Sequence, residues 1–266
     1  MKSGKPPAPA GETRLVKYLA HCGVAARRQA EVEFIAPGRV TVNGVVIRDP
    51  AVRVGRRDVV AVDGRAVRPE IPVVLVVHKP RGVLCAARDA RGRTTVVDLV
   101  GPRPERLYPV GRLDQDSEGL LLVTNDGALA QAMLHPRHGV PRTYCALVTP
   151  APEPGVLLRL EEGMRLSDGF AKAEDVQELA HAPRGLAPGP GARDGAWIRM
   201  VLRGGRNRQV RRMCAAVGLD VLRLVRTAFA GLRLEGLAPA EWRELSAAEV
   251  ARLRAVTGLE TSQRKG

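Results

Sequence analysis

The sequence predicts an α+β fold, and three features of the chain predict it. Short β-branched runs flank the turn pairs Asn43-Gly44 and Asp63-Gly64, which suit tight hairpins. Two longer runs, Arg142 to Val148 and Trp197 to Arg203, alternate with the period of two that marks strands. Helical patterns stand singly between these strands in irregular order, which disfavours a doubly wound parallel sheet. No internal repeat is visible.

The 1–12 segment, rich in Pro, Gly and Lys, predicts a disordered tail. A helical pattern starts at Thr13, with Leu15, Tyr18 and Leu19 on one stripe, and Gly23 stops it. A second helix starts near Ala26 and ends by Pro37-Gly38. Two hairpins follow, so residues 13–68 make a small unit of helices and strands. In residues 1–70 Lys and Arg outnumber Asp and Glu by thirteen to seven. Residues 69–72 (Pro-Glu-Ile-Pro) read as a linker to a larger domain over 73–250, with a tail at 251–266.

In the larger domain, the apolar run Val73 to Val77 predicts a central buried strand ending at His78-Lys79-Pro80-Arg81-Gly82. Leu120 to Thr124 is a second such strand, followed by an Asn125-Asp126-Gly127 turn and a helix from Ala128 to Leu134. The Gly/Pro-rich segment 181–195 predicts a long exposed loop. On the strand after it, Ile198, Met200 and Leu202 share one face. A helix from Asn207 to a cap at Gly218 buries Val210, Met213, Cys214 and Val217.

The chain of 266 residues carries a net charge of +14, which points to a polyanionic partner. Arg supplies most of the positive charge, and its planar fork grips phosphate and stacks on bases. Cys22, Cys85, Cys145 and Cys214 form no C-x-x-C pair and read as reduced core residues of a cytoplasmic protein. His135 and His138 lack a further ligand at metal-site spacing, so no metal is expected. No signal peptide is visible, and no apolar run approaches the ~20 residues that cross a bilayer. A recognition helix or zinc pattern for DNA is also missing.

The segment Val110 to Gly127 concentrates charge against an apolar strand. Asp114, Asp116 and Glu118 lie within it beside Arg112. A buried unpaired carboxylate costs several kcal/mol, roughly, so structure alone rarely places three there. On spacing alone Asp114 fits an Asx turn or a helix cap as well as it fits a catalytic carboxylate.

Longer motifs separate these readings. Gly111-Arg112-Leu113-Asp114, then Ser117-x-Gly119 and Leu120-Leu-Leu-Val-Thr-Asn-Asp-Gly127, closely resemble the catalytic segment of pseudouridine synthases of the RsuA/RluB type. Arg142-Thr143-Tyr144, Gly205-Arg-Asn-Arg-Gln-Val-Arg-Arg-Met213, Leu222-Arg-Leu-Val-Arg-Thr227 and Ala240-Glu-Trp-Arg-Glu-Leu245 match further motifs of that family, with Ala240 where Gly is usual. The N-terminal order Arg14-Leu15, Arg27-Arg28 and Gly38-Arg39-Val-Thr-Val-Asn43-Gly44 resembles the S4 RNA-binding domain, departing at Ala26 and Pro37.

The resemblance implies an S4-type module before a catalytic domain built on a mixed, largely antiparallel sheet. It implies isomerisation of uridine to pseudouridine in ribosomal RNA, without a cofactor. Asp114 would be the catalytic carboxylate, whether it attacks C1′, attacks C6 or takes a sugar proton. Arg211 would pair with Asp114, Tyr144 would stack on the uracil, and Leu224 would close the other side. Arg112 would fill the gap left by the flipped nucleotide. Asp116 and Glu118 would be surface or phosphate-distal residues. Arg14, Lys17, Arg27, Arg28 and Arg39 would bind RNA phosphates. The expected partner is ribosomal RNA or a pre-ribosomal particle, bound by a monomer, with large-subunit RNA favoured over small-subunit RNA. A non-catalytic assembly factor is the other reading, and the Asp114, Tyr144 and Arg211 set argues against it.

Overall fold

The computed structural model describes residues 12–186 and 195–259. The expected tail at 1–11, the loop section 187–194 and residues 260–266 lie outside the described residues. The chain divides into two compact units, Met1–Pro72 with Pro104–Arg106, and Val73–Arg103 with Leu107–Gly266.

In the first unit, β1 (Thr13–Arg14) pairs with β4 (Arg53–Val54), so helix α1 (Leu15–His21) begins two residues later than its sequence pattern. The reason is tertiary: pairing with β4 claims Thr13 and Arg14, and Leu15 N donates to Val52 O at 2.8 Å. A short helix α2 (Arg27–Gln29) continues as a widened helical turn over Ala30–Ile35, with no side-chain cap from Ala26. Four strands, β2 (Val40–Val42), β3 (Val45–Ile47), β5 (Val60–Val62) and β6 (Arg65–Ala66), form a sheet in the order β3-β2-β5-β6. Asn43 (φ 52°) and Gly44 (φ 82°) both take the positive φ of a type I′ turn, as do Asp63 and Gly64. Leu15, Leu19, Ile35, Val40 and Val60 close the core, each 1 % exposed or less.

The second unit is built on a nine-stranded sheet among the described residues, whose central order is β13-β14-β10-β15-β9-β7-β17. Its strands are β7 (Val74–Lys79), β8 (Tyr108–Pro109), β9 (Glu118–Thr124), β10 (Arg142–Thr149), β13 (Glu174–Leu179), β14 (Ala196–Leu202), β15 (Asp220–Phe229), β16 (Leu232–Arg233) and β17 (Trp242–Glu244). All pairings are antiparallel except β15 with β9, so the sheet is mixed and mostly antiparallel.

Alternate residues of β7 and β9 point to opposite faces. Val74, Val76, Leu120 and Leu122 pack with helices α3 (Gly127–Leu134) and α6 (Ala247–Val256). Leu75, Val77, Leu121 and Val123 pack against the 83–107 segment. Helix α4 (Pro154–Glu162) and the hairpin of β11 (Met164–Leu166) and β12 (Gly169–Ala171) follow β10, in a stretch given no element above. Helix α5 (Gln209–Ala216) starts after Asn207, because Arg208 takes a left-handed φ of 47°. Its Val210, Met213 and Cys214 pack on Tyr144, Ala146, Ile198 and Met200.

Helix α6 runs through residue 250, where the sequence reading ended the domain. Leu253 and Thr257, each 1 % exposed, bury this end of the chain, so a tail from 251 is corrected to packed structure as far as 259. The cysteines are free; Cys145 and Cys214 are buried, whereas Cys22 and Cys85 are only half-buried. No helix of the described residues is long and apolar enough to cross a membrane.

Candidate active site

The loop joining β8 to β9 carries the charged segment. Gly111 turns it with φ +75°, and a Cβ there would sit 2.8 Å from Leu134 Cδ2. Reciprocal bonds tie the loop to the turn after β7: Gly82 N donates to Gln115 O (2.8 Å), and Gln115 Nε2 donates to Gly82 O (3.0 Å). Lys79 is fully buried behind the loop and donates from Nζ to Pro80 O (2.9 Å) and Ser117 O (2.7 Å). Burial pushes its ammonium pKa down, opposed by Cys85, Glu118, Asp116 and Asp114. Gly119, at φ +113°, lies against β15 so closely that a Cβ would come 2.4 Å from Arg226 O. These restraints fix where Asp114 sits.

The Asp114 side chain is 23 % exposed, and its Oδ2 lies 3.9 Å from Arg208 Nη1. It lines a cleft of ≈ 690 Å³ together with Arg112, Tyr144 and Leu224. Tyr144 and Leu224 are 9 % and 5 % exposed and stand on the neighbouring strands β10 and β15, while Arg112 is exposed. The cleft therefore offers one carboxylate beside an aromatic and an aliphatic wall. That arrangement can hold a flat base while the carboxylate meets its sugar.

Arg211 departs from expectation. It does not line the cleft; its Nη2 pairs with Asp116 Oδ2 at 3.2 Å, and its Nη1 donates to Val221 O at 2.7 Å. Arg208 is the cation that approaches Asp114, and it also binds Asp116 (3.2 Å). Arg208 is thus the arginine within 4 Å of Asp114, while Asp116 and the Val221 carbonyl occupy both ends of the Arg211 fork and the charge of Asp114 still acts on Arg211. Asp116, with its side chain 38 % exposed, bridges two arginines. Burial raises its pKa, but the Arg208 hydrogen bonds and the charges of Arg211 and Arg208 outweigh this and hold it below the usual carboxylate range. Glu118 is not a surface residue. It is 5 % exposed and paired with Arg223 Nε at 2.5 Å.

Of the cleft arginines that the sequence reading did not single out, two are buried. Arg142 and Arg226 are 7 % and 2 % exposed, and both line the cleft. Their signal was legible: each is a charge in a strand, on the same face as a predicted site residue two positions away. Among the described residues no cluster of three or more His, Cys, Asp or Glu is placed to hold a metal. His135 accepts from Arg137 N, and Arg137 Nε donates to His138 Nε2.

In the first unit, Arg14, Arg27 and Arg28 are exposed and Lys17 is half-buried, with no carboxylate partner among the described residues. Arg39 differs: it grips Asp63 through Nε (2.8 Å) and Nη2 (2.5 Å) and stacks 4.5 Å over Phe34.

Residues 13–60 match the S4 domain, and residues 73–216 match the family described as RNA pseudouridylate synthase. A ribosomal large subunit pseudouridine synthase B of Bacillus subtilis (strain 168) is 43 % identical over 243 residues, covering 91 % of this chain and 96 % of the relative. An uncharacterized RNA pseudouridine synthase of Aquifex aeolicus (strain VF5) is 39 % identical, covering 96 % and 98 %. A crystal structure of a pseudouridylate synthase superposes with a TM-score of 0.61 at 25 % identity, covering 90 % of this chain and 99 % of that one. With its S4 domain and its pseudouridylate synthase domain, the chain belongs to the RNA pseudouridylate synthase family.

Proposed function

We propose that this enzyme converts uridine to pseudouridine in large-subunit ribosomal RNA, with Asp114 as the catalytic carboxylate. One observation carries the assignment of Asp114. It is the carboxylate that lines the cleft, beside the buried Tyr144 and Leu224, whereas Asp116 and Glu118 are held in ion pairs outside its lining. The name of the Bacillus relative supports the large subunit. The net charge of +14 and the S4 domain support ribosomal RNA as substrate.

The reaction breaks N1–C1′, turns the uracil, and joins C5 to C1′; the proton lost at C5 is balanced by one gained at N1. Asp114 meets the electron-poor sugar. Arg208 stands 3.9 Å from it, and Arg211 holds Asp116 so that Arg208 stays in reach. Tyr144 and Leu224 sandwich the base, and Arg112 occupies the space it leaves in the RNA stack. Mapping pseudouridines in ribosomal RNA from cells lacking the protein tests this directly. A site should disappear from 23S RNA and return with the wild-type chain but not with Asp114→Asn. Restoration by Asp114→Asn would refute the role of that residue, and loss of a 16S site would refute the subunit.

A further inference from the structure

Two buried arginines lie beside the place given above to the uracil, and the mechanism so far does not use them. Arg226 is the register partner of Tyr144 across β15 and β10, and Arg142 is the partner of Phe229, with a bulge between Thr143 and Tyr144. Both guanidinium carbons lie over the Phe229 ring, at 4.9 Å and 5.2 Å from its centre. Neither is paired with a carboxylate among the described residues. Arg226 donates from Nε to Leu120 O (2.7 Å), and its Nη2 is buried without a partner. Arg142 donates to Val140 O (3.1 Å) and Met133 O (3.5 Å).

Backbone carbonyls satisfy donors but do not neutralise charge. Burial pushes the Arg142 pKa down, Tyr144 acts against this, and the charge of Arg226 adds to the lowering. Two buried like charges sharing one ring destabilise the free protein relative to apolar side chains of the same volume. Contact with the ring face offsets only part of that cost. The missing counter-charge is therefore supplied by what enters the cleft.

We propose that Arg226 and Arg142 receive the uracil as it leaves the ribose and hold the negative charge that develops on its carbonyl oxygens. This rests on the functional reading above. Breaking N1–C1′ sends the bond pair to N1 and makes a uracil anion whose charge spreads to O2 and O4. C5 then supplies the pair that bonds C1′, its proton leaves, and N1 takes one up, so no oxidant or reductant is needed. A planar fork donates equally well to either oxygen while the ring turns, as a single fixed donor could not. Donors set in place before the charge appears act most strongly where water is excluded.

The test is single-turnover pseudouridine formation on a 23S RNA fragment by the full-length wild type, Arg226→Gln and Arg226→Met, with RNA affinity and Tm measured alongside. Gln keeps a donor for Leu120 O but removes the charge. Both variants should react about 10²-fold more slowly, with RNA affinity within about threefold of wild type. Their Tm should be equal to or above that of wild type, most clearly for Met. A rate within about threefold of wild type overturns the inference. So does a loss that follows RNA affinity, which would assign the arginines to a backbone phosphate, and so does a collapse of Tm in both variants. An inactive wild type would instead overturn the functional reading itself, whereas an active wild type beside a fully active Arg226→Gln overturns this inference alone.

Discussion

At Asp114 and Asp116, two carboxylates two positions apart take different work because their neighbours differ. Asp116 holds Arg208 and Arg211, while Asp114 is left facing the cleft with Arg208 at 3.9 Å. The longer motif from Gly111 to Gly127 singled out Asp114 in the sequence, and the fold places it at the cleft. The destination of Arg211 was not legible, since a long side chain chooses among acceptors brought together from Asp116 and Val221. Gly119 shows the same limit in the backbone. Its glycine is plain in the motif, but its reason is the 2.4 Å approach of a would-be Cβ to Arg226 O at positive φ. Gly119→Ala should therefore destabilise the fold by at least about 2 kcal/mol in urea unfolding. A loss below half of that would show that β9 and β15 can part without cost.

Elements follow local signals where those agree with packing. Asp126 caps α3, accepting from Ala128 N and Leu129 N at 3.0 Å each, and also pairs with Arg254 of α6. Helix α6 opens on a capping box of Ser246 and Glu249, a pattern visible in the sequence as Ser-Ala-Ala-Glu. The Arg243 fork, with the Ser246 amide, holds the Glu249 carboxyl down at about 2 from its ordinary 4.5. A depressed carboxylate contributes stability that is full above its unfolded pKa and is lost as pH falls through the folded one. The Tm difference between wild type and Glu249→Gln should thus be constant above about pH 5 and fade between 4.5 and about 2. A difference that persists undiminished at pH 2 would contradict the ionic role. Strand β1 was illegible because two residues gain a strand only from a distant partner, β4.

Across the whole molecule, a net charge of +14 needs an anionic partner, and the first unit offers exposed arginines toward one. Arg27 and Arg28 lack carboxylate partners among the described residues, whereas Arg39 spends its fork on Asp63. Replacing Arg27 and Arg28 together by Gln should weaken RNA binding and flatten log K against log salt by about 1.4 on single-stranded segments, as two lost phosphate contacts require. An unchanged slope would remove both from the RNA interface, and replacing Arg39 should matter less.

By itself, the sequence determined the family, the hairpin turns and most of the strands and helices that carry the cleft. These are local matters: period, turn chemistry and contiguous motif all act over a few residues. Tertiary structure alone decided which arginine faces Asp114, that Asp116 and Glu118 are ion-paired, and that Arg142 and Arg226 meet over Phe229. Those pairings join residues up to 105 positions apart. Electrostatic energy depends on separation and burial in space, and neither can be read along the chain.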